Sequence, residues 1–242
     1  MRFSEELQRE LEQLASEGLL RHRTPPSETS PDLLDACTND YLGYARSGVS
    51  RETTASRPGS GASRLIFGTQ PEHSALEGEL TSWVGAEDTL LFSSGYAANL
   101  GMLAALARPG DLIVSDRLNH ASIVDGCRLS RATVQVVPHC DLNAADRALQ
   151  APTKGRRWLV TESYFSMDGD SPDLPGLRAL CDARGAALVV DEAHALGVFG
   201  PEGSGLCRQG GVVPDVLVGG LGKAVGVQGA FVAGSAPLTE LL

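Results

Sequence analysis

A chain of 242 residues can bury one substantial core, and its 20 basic against 30 acidic residues, a net charge of −10, leave no basic face for a nucleic-acid backbone. The acidic residues are dispersed rather than run together, and no apolar stretch approaches the length of a membrane span, so neither an acidic tail nor a membrane is expected. The polar, acidic opening Met1-Arg2-Phe3-Ser4-Glu5-Glu6-Leu7 is unlike a secretory signal, and the five cysteines (Cys37, Cys127, Cys140, Cys181, Cys207) show no CxxC spacing; a cytoplasmic protein with reduced thiols is expected. The five histidines are widely spaced in sequence, and no metal site is expected.

Ser4 can cap an amphipathic helix over residues 4–18, with Leu7, Leu11 and Leu14 on one face. Residues 21–38, rich in Pro, Ser and Thr, read as an extended connector. From residue 70 onward helix and strand patterns alternate: helix 72–84, strand 89–92, helix 97–106, strand 111–115, helix 121–130, strand 133–137, helix 142–149, strand 158–161, helix 174–184 and strand 187–190. Strands at 216–218 and 230–233 follow too closely for a helical crossover, so one of them is expected to run antiparallel. Short apolar strands between helices predict an α/β fold, a three-layer sandwich whose mostly parallel sheet is covered on both faces.

In such a sheet the ligand sits beyond the carboxyl ends of the strands, which directs attention to the residues after each strand. Strand 89–92 runs into Ser93-Ser94-Gly95-Tyr96, where free N–H groups at a helix start suit an anion, although an ordinary turn would use Gly95 equally well. His120 follows strand 111–115 near a helix start, placed to stack on a planar ligand, to move a proton or simply to cap. Strand 158–161 leads into Glu162-Ser163-Tyr164-Phe165-Ser166-Met167-Asp168-Gly169-Asp170, a loop more polar than a turn requires. Asp191 follows strand 187–190, with His194 three residues on; burying that carboxylate calls for a partner, unless it caps a helix.

Lys223 is one of only two lysines, and no other charge lies within seven residues of it in the glycine-rich stretch 216–226. An amine, unlike a guanidinium, can lose its proton when desolvated and attack a carbonyl. An anion loop, a histidine, a buried carboxylate and a lone lysine on one sheet edge fit a single ligand, pyridoxal 5′-phosphate (PLP). Gly59-Ser60-Gly61 does not make a dinucleotide fingerprint, because Arg64 stands at the last glycine position and no strand precedes it. Neither GxxxxGK[ST] nor GxSxG is present.

Seven strings carry a family resemblance across nearly the whole chain. They are Asn39-Asp40-Tyr41-Leu42-Gly43, Gly59-Ser60-Gly61-Ala62-Ser63-Arg64, Leu91-Phe92-Ser93-Ser94-Gly95-Tyr96-Ala97-Ala98-Asn99, Asp116-Arg117-Leu118-Asn119-His120-Ala121-Ser122, Phe165-Ser166-Met167-Asp168-Gly169-Asp170, Asp191-Glu192-Ala193-His194 and Gly222-Lys223-Ala224. In this order they resemble the α-oxoamine synthases, PLP enzymes of fold type I, and most of all the branch that makes 8-amino-7-oxononanoate for biotin. The resemblance implies a homodimeric acyltransferase that condenses L-alanine with pimeloyl-CoA or a pimeloyl carrier protein and releases carbon dioxide. Catalytic roles would fall to Lys223, His120 and Asp191, and cofactor binding to these three with Ser94, Gly95, Tyr96, Glu162, Ser166 and His194. Substrate contacts would fall to Asn39, His120 and Arg21, with Arg23 as the alternative to Arg21.

The same resemblance implies an N-terminal helix and arm over 1–45, a PLP-binding domain over 46–235, and the start of a smaller, missing C-terminal domain at 236–242. It is imperfect at three points: Gly220 stands where the family usually has threonine, the segment between Gly43 and Gly59 is short, and the chain ends at Leu242. Other α-oxoamine synthases (glycine C-acetyltransferase, 5-aminolevulinate synthase, serine palmitoyltransferase) and a non-catalytic remnant stay open as alternatives.

Overall fold

The computed structural model describes residues 3–22, 36–47 and 59–242. Most of the expected 21–38 connector, Arg23 and most of the segment between Gly43 and Gly59 lie outside them. The chain divides into two units, Met1–Thr38 and Asn39–Leu242.

The first unit holds α1 (Phe3–Ser16), with Glu5 and Glu6 in its first turn, where they oppose the positive end of the helix dipole. Leu7, Leu11 and Leu14 form the expected stripe and are exposed. The helix stops before Gly18, whose φ of +68° is open to glycine, two residues short of the expected end.

The second unit opens with α2 (Tyr44–Ser47), a π-helical turn Arg64–Gly68 and α3 (Pro71–Val84). Then come β1 (Asp88–Phe92), α4 (Gly95–Leu106), β2 (Leu112–Asp116), α5 (Ala121–Ser130), β3 (Thr133–Val137), α6 (Leu142–Leu149), β4 (Arg157–Glu162), α7 (Leu174–Arg184) and β5 (Ala186–Asp191). A short 3-10 turn precedes α8 (Leu206–Gln209), β6 (Val216–Gly220), β7 (Ala230–Gly234) and α9 (Ala236–Leu241).

Seven strands form one sheet in the order β1-β7-β6-β5-β4-β2-β3. All pairings are parallel except those of β7, which runs antiparallel to both β1 and β6. The expected antiparallel strand is therefore β7, and it is inserted beside β1 rather than added at an edge.

Alternate residues along the strands feed opposite faces, the period-two rule of a pleated sheet. Ile113, Val160, Val189, Val218 and Val232 pack with Ala98, Met102 and Leu103 of α4 and Ile123 of α5. Leu112, Leu159, Leu188 and Val190 pack instead with Leu149 of α6 and Leu177 and Cys181 of α7. A third cluster joins Leu217 and Phe231 to Leu80 and Val84 of α3. This is the three-layer α/β/α sandwich expected from the sequence.

Helix α4 carries no charged residue, as befits a helix wedged between the sheet and α5. The two helices touch closely at Gly126, where a Cβ would lie 2.9 Å from the Asn99 carbonyl oxygen. That approach holds Asn99 against the end of β5.

Candidate active site

Three carboxylates end three strands: Asp116 closes β2, Glu162 closes β4 and Asp191 closes β5. The sequence placed each just beyond its strand; pairing continues one residue further because Glu162 and Asp191 are in register on adjacent parallel strands. Both side chains are buried. Two neighbouring carboxylates in a poorly solvated place cannot both ionise easily. Burial, then the Asp191 charge, pushes Glu162 up to about 7, against the His120 backbone N–H that donates to Glu162 Oε1 at 2.7 Å.

A cavity of about 420 Å³ opens at this edge. Of the expected site residues, Asn39, Ser94, Gly95, Tyr96, His120, Glu162, Asp191, His194 and Lys223 all line it. They come from six separate stretches of the second unit. Arg21 is exposed in the N-terminal unit, and no relation to the cavity follows for it. Ser166 lines a smaller neighbouring cavity of about 160 Å³, whose wall also includes His120, Glu162 and His194.

The end of β1 supplies an anion cradle. Ser94 is the N-cap of α4, its Oγ accepting from Ala97 N at 3.2 Å. Ala98 N donates to the Ser94 carbonyl, so the Gly95 and Tyr96 N–H groups are left without a partner inside the helix. A Cβ built on Gly95 would meet nothing within 4 Å, so the cradle is open in front of these amides.

Asp191 is anchored on both oxygens. Oδ2 accepts from Asn99 Nδ2 at 2.7 Å and Oδ1 from Ala193 N at 2.8 Å. The helix-capping alternative for Asp191 does not apply, because a turn follows it rather than a helix. Asn99 Nδ2 also donates to Ser122 Oγ at 3.0 Å, and Ser122 Oγ lies 2.7 Å from His120 Nδ1. His120 does cap α5, its Nδ1 accepting from Ser122 N at 3.2 Å, and it still lines the cavity. A chain of polar contacts thus runs from Asp191 through Asn99 and Ser122 to His120.

His194 Nδ1 lies 2.7 Å from the Tyr41 hydroxyl. Burial, with Lys223 and His120 nearby, pushes His194 down to about 4, so its ring is neutral at physiological pH. Lys223 is half-buried, and desolvation lowers its amine against the opposing pull of Asp191 and Glu162. A lysine made easier to deprotonate is a competent base and nucleophile. Behind the cavity, Glu192 is fully buried. Its Oε1 accepts from Cys207 N at 2.9 Å, and among the described residues its Oε2 has no hydrogen-bond partner.

Sequence reasoning missed Asn99, Ser122, Tyr41 and Gln228. Asn99 had a local signal, as the one amide in the apolar run Gly95–Leu106. Gln228 had none.

A model of the family "aminotransferase class I and II" matches residues 31–242. The chain belongs to that family. It is 46% identical over 248 residues to the 8-amino-7-oxononanoate synthase of Anaeromyxobacter sp. (strain K), which covers 96% of this chain and 62% of that protein. The same enzyme of Mycolicibacterium smegmatis is 50% identical over 229 residues, 90% of this chain and 59% of that one. Among solved structures, SPT with PLP as an internal aldimine matches with a TM-score of 0.79 at 30% identity, over 97% of this chain and 63% of that chain. The chain therefore spans about three fifths of the length of these family members.

Proposed function

We propose that this chain is the cofactor-binding part of a PLP-dependent α-oxoamine synthase that condenses L-alanine with a pimeloyl thioester to give 8-amino-7-oxononanoate. The observation that carries the reading is the meeting of Lys223, Asp191 and the open N-terminus of α4 in one cavity.

The residues present fit the cofactor. The Gly95 and Tyr96 amides and the unfilled space at Gly95 suit its phosphate. Asp191, held on both oxygens, suits a protonated pyridine nitrogen, and Lys223 Nζ suits covalent attachment. Bound there, PLP supplies an electron-withdrawing ring that stabilises a carbanion at an amino-acid Cα.

The chain's own groups do the rest. Asp191, anchored on both oxygens, would hold the cofactor's pyridine nitrogen. His120, fixed through Ser122, covers one side of the cavity. His194, neutral and held by Tyr41, would bind the cofactor's phenolic oxygen. Lys223 Nζ, its affinity for protons reduced by burial, takes the Cα proton of L-alanine and later returns one. In the net reaction a bond forms between the alanine Cα and the thioester carbonyl carbon, the thiol leaves, and the alanine carboxylate departs as carbon dioxide. Asn39 is assigned to the amino-acid carboxylate and Ser166 to the cofactor's surroundings. Arg21 is assigned to the acyl chain on sequence likeness alone. As in the family, the working form would be a homodimer.

Another α-oxoamine synthase is the second reading, favoured by the likeness to serine palmitoyltransferase, but at 30–38% identity against 46% and 50% for the 8-amino-7-oxononanoate synthases. The experiment is a visible spectrum of the chain with PLP, followed by borohydride reduction and intact mass, on the wild type and on Lys223→Ala. One phosphopyridoxyl adduct on the wild type and none on the variant is expected; no adduct on either sinks the reading. Product analysis with alanine or glycine and pimeloyl-CoA then separates the two enzyme readings.

A further inference from the structure

Outside the cavity, three segments bring a second group of reactive side chains together. Asp116 ends β2, His139 and Cys140 lie between β3 and α6, and Asp170 closes the turn that begins at Phe165. We propose that Asp116, His139 and Cys140 form a binding site for one thiophilic divalent cation of the zinc class, with Asp170 orienting the histidine.

The donor spacing fits. Asp116 Oδ1 lies 3.0 Å and Cys140 Sγ 3.7 Å from His139 Nδ1, and the three donor atoms all lie within 4.8 Å of one another. Tetrahedral zinc, with bonds of about 2.0–2.3 Å, holds its ligand atoms roughly 3.3–3.8 Å apart. Asp116 and His139 need open by only a few tenths of an ångström. The sulfur is also 3.5 Å from Nε2, so it lies over the imidazole face, and binding an ion in the ring plane requires the Cys140 side chain to swing toward Nδ1.

A second observation points the same way. His139 Nε2 is 3.1 Å from both oxygens of Asp170. A carboxylate on the far nitrogen is how proteins orient a ligating histidine and fix its tautomer, here with the proton on Nε2 and the lone pair on Nδ1. Phe165 holds the ring edge-on at 4.4 Å between centroids. Asp116 is fixed by the Leu118 and Cys140 N–H groups, each donating at 2.8 Å.

Charge favours a cation as well. Asp116, Asp168 and Asp170 all act on Cys140. The competing arrangement is a protonated His139 bridging Asp116 and Asp170, and both carboxylates do favour that proton. Burial and the same acids push the Cys140 thiol up to about 11. His139 and Asp116 are already largely desolvated, with side chains 12% and 7% exposed, while Cys140 is exposed and gives the ion an entry.

The test is titration of the full chain with Co2+, read through its visible ligand-field bands, and with Zn2+ by competition against a chromophoric chelator. One equivalent of Co2+ with the intense bands of a tetrahedral thiolate site is expected. Cys140→Ser should remove those bands and weaken Zn2+ at least tenfold, and Asp170→Asn should weaken it about tenfold. Cys37→Ser, at the other exposed thiol, should change nothing. Thermal melts confirm that each variant is folded. Bands that persist in Cys140→Ser, bands lost in Cys37→Ser, or no stoichiometric uptake would each overturn the proposal and leave His139 as an ion-paired bridge.

Discussion

Asn99 Nδ2 donates to Asp191 Oδ2 at 2.7 Å across 92 residues of sequence, joining the helix that carries the anion cradle to the strand that carries the carboxylate. Its other amide hydrogen goes to Ser122, so one side chain braces both Asp191 and the support of His120. Asn99→Leu leaves Asp191 with the Ala193 N–H alone. A lost bond to a buried charge is worth about 1–3 kcal/mol, and PLP should be held about tenfold more weakly, the equivalent of roughly 1.4 kcal/mol. Spectrophotometric titration with PLP measures it. Ser122→Ala leaves the Asp191 contact in place, and its PLP affinity should match the wild type; equal losses in both variants would show a general packing defect.

Glu162 makes stability depend on pH. An unfolded glutamate ionises near its ordinary value of 4.5, whereas in the fold burial and Asp191 hold the proton up to about 7. The folded state therefore binds more protons between these values, and this contribution to stability is full below 4.5 and lost as pH rises through 7. Two to three pKa units correspond to on the order of 3 kcal/mol. Glu162→Gln keeps an acceptor for the His120 N–H and removes the titration. Denaturant midpoints from pH 4.5 to 8 should fall for the wild type relative to the variant; parallel curves would rule the linkage out.

Gly220, where the family resemblance expects threonine, ends β6 on the cavity wall. A Cβ placed there meets the Ala193 Cβ at 3.1 Å, tighter than ordinary contact. Gly220→Thr should tighten PLP several-fold through its hydroxyl and destabilise the chain by about 1 kcal/mol through crowding. Adding Ala193→Gly should restore the melting temperature and keep the tighter binding. Unchanged PLP affinity in both variants would show that no hydroxyl contact is missing here.

Much of this site could be read from the sequence because its parts follow strands whose apolar runs are unambiguous. Leu112–Asp116, Ala186–Asp191 and Val216–Gly220 announce themselves, and the polar residues at their ends are then conspicuous. Local pattern does not encode which strands become neighbours. The insertion of β7 and the register that sets Glu162 beside Asp191 depend on pairing between distant segments. Tyr41 reaches His194 across 153 residues, and no spacing rule connects them. The Asp116, His139, Cys140 and Asp170 cluster escaped for the same reason, since its members come from three segments that no local spacing joins.

The insertion of β7 also orders events in time. Among the described residues β1 pairs with β7 alone, so a growing chain carries β1 without a strand partner until the distant segment that begins at Ala230 has been made. Strands β2 to β5 can associate as they emerge, because each finds its neighbour nearby in sequence. Only when Ala230–Gly234 leaves the ribosome can the two halves of the cavity be sewn together. Until then the edge of β1 is open to foreign strands, and the arrival of β7 decides between a closed sheet and an aggregate.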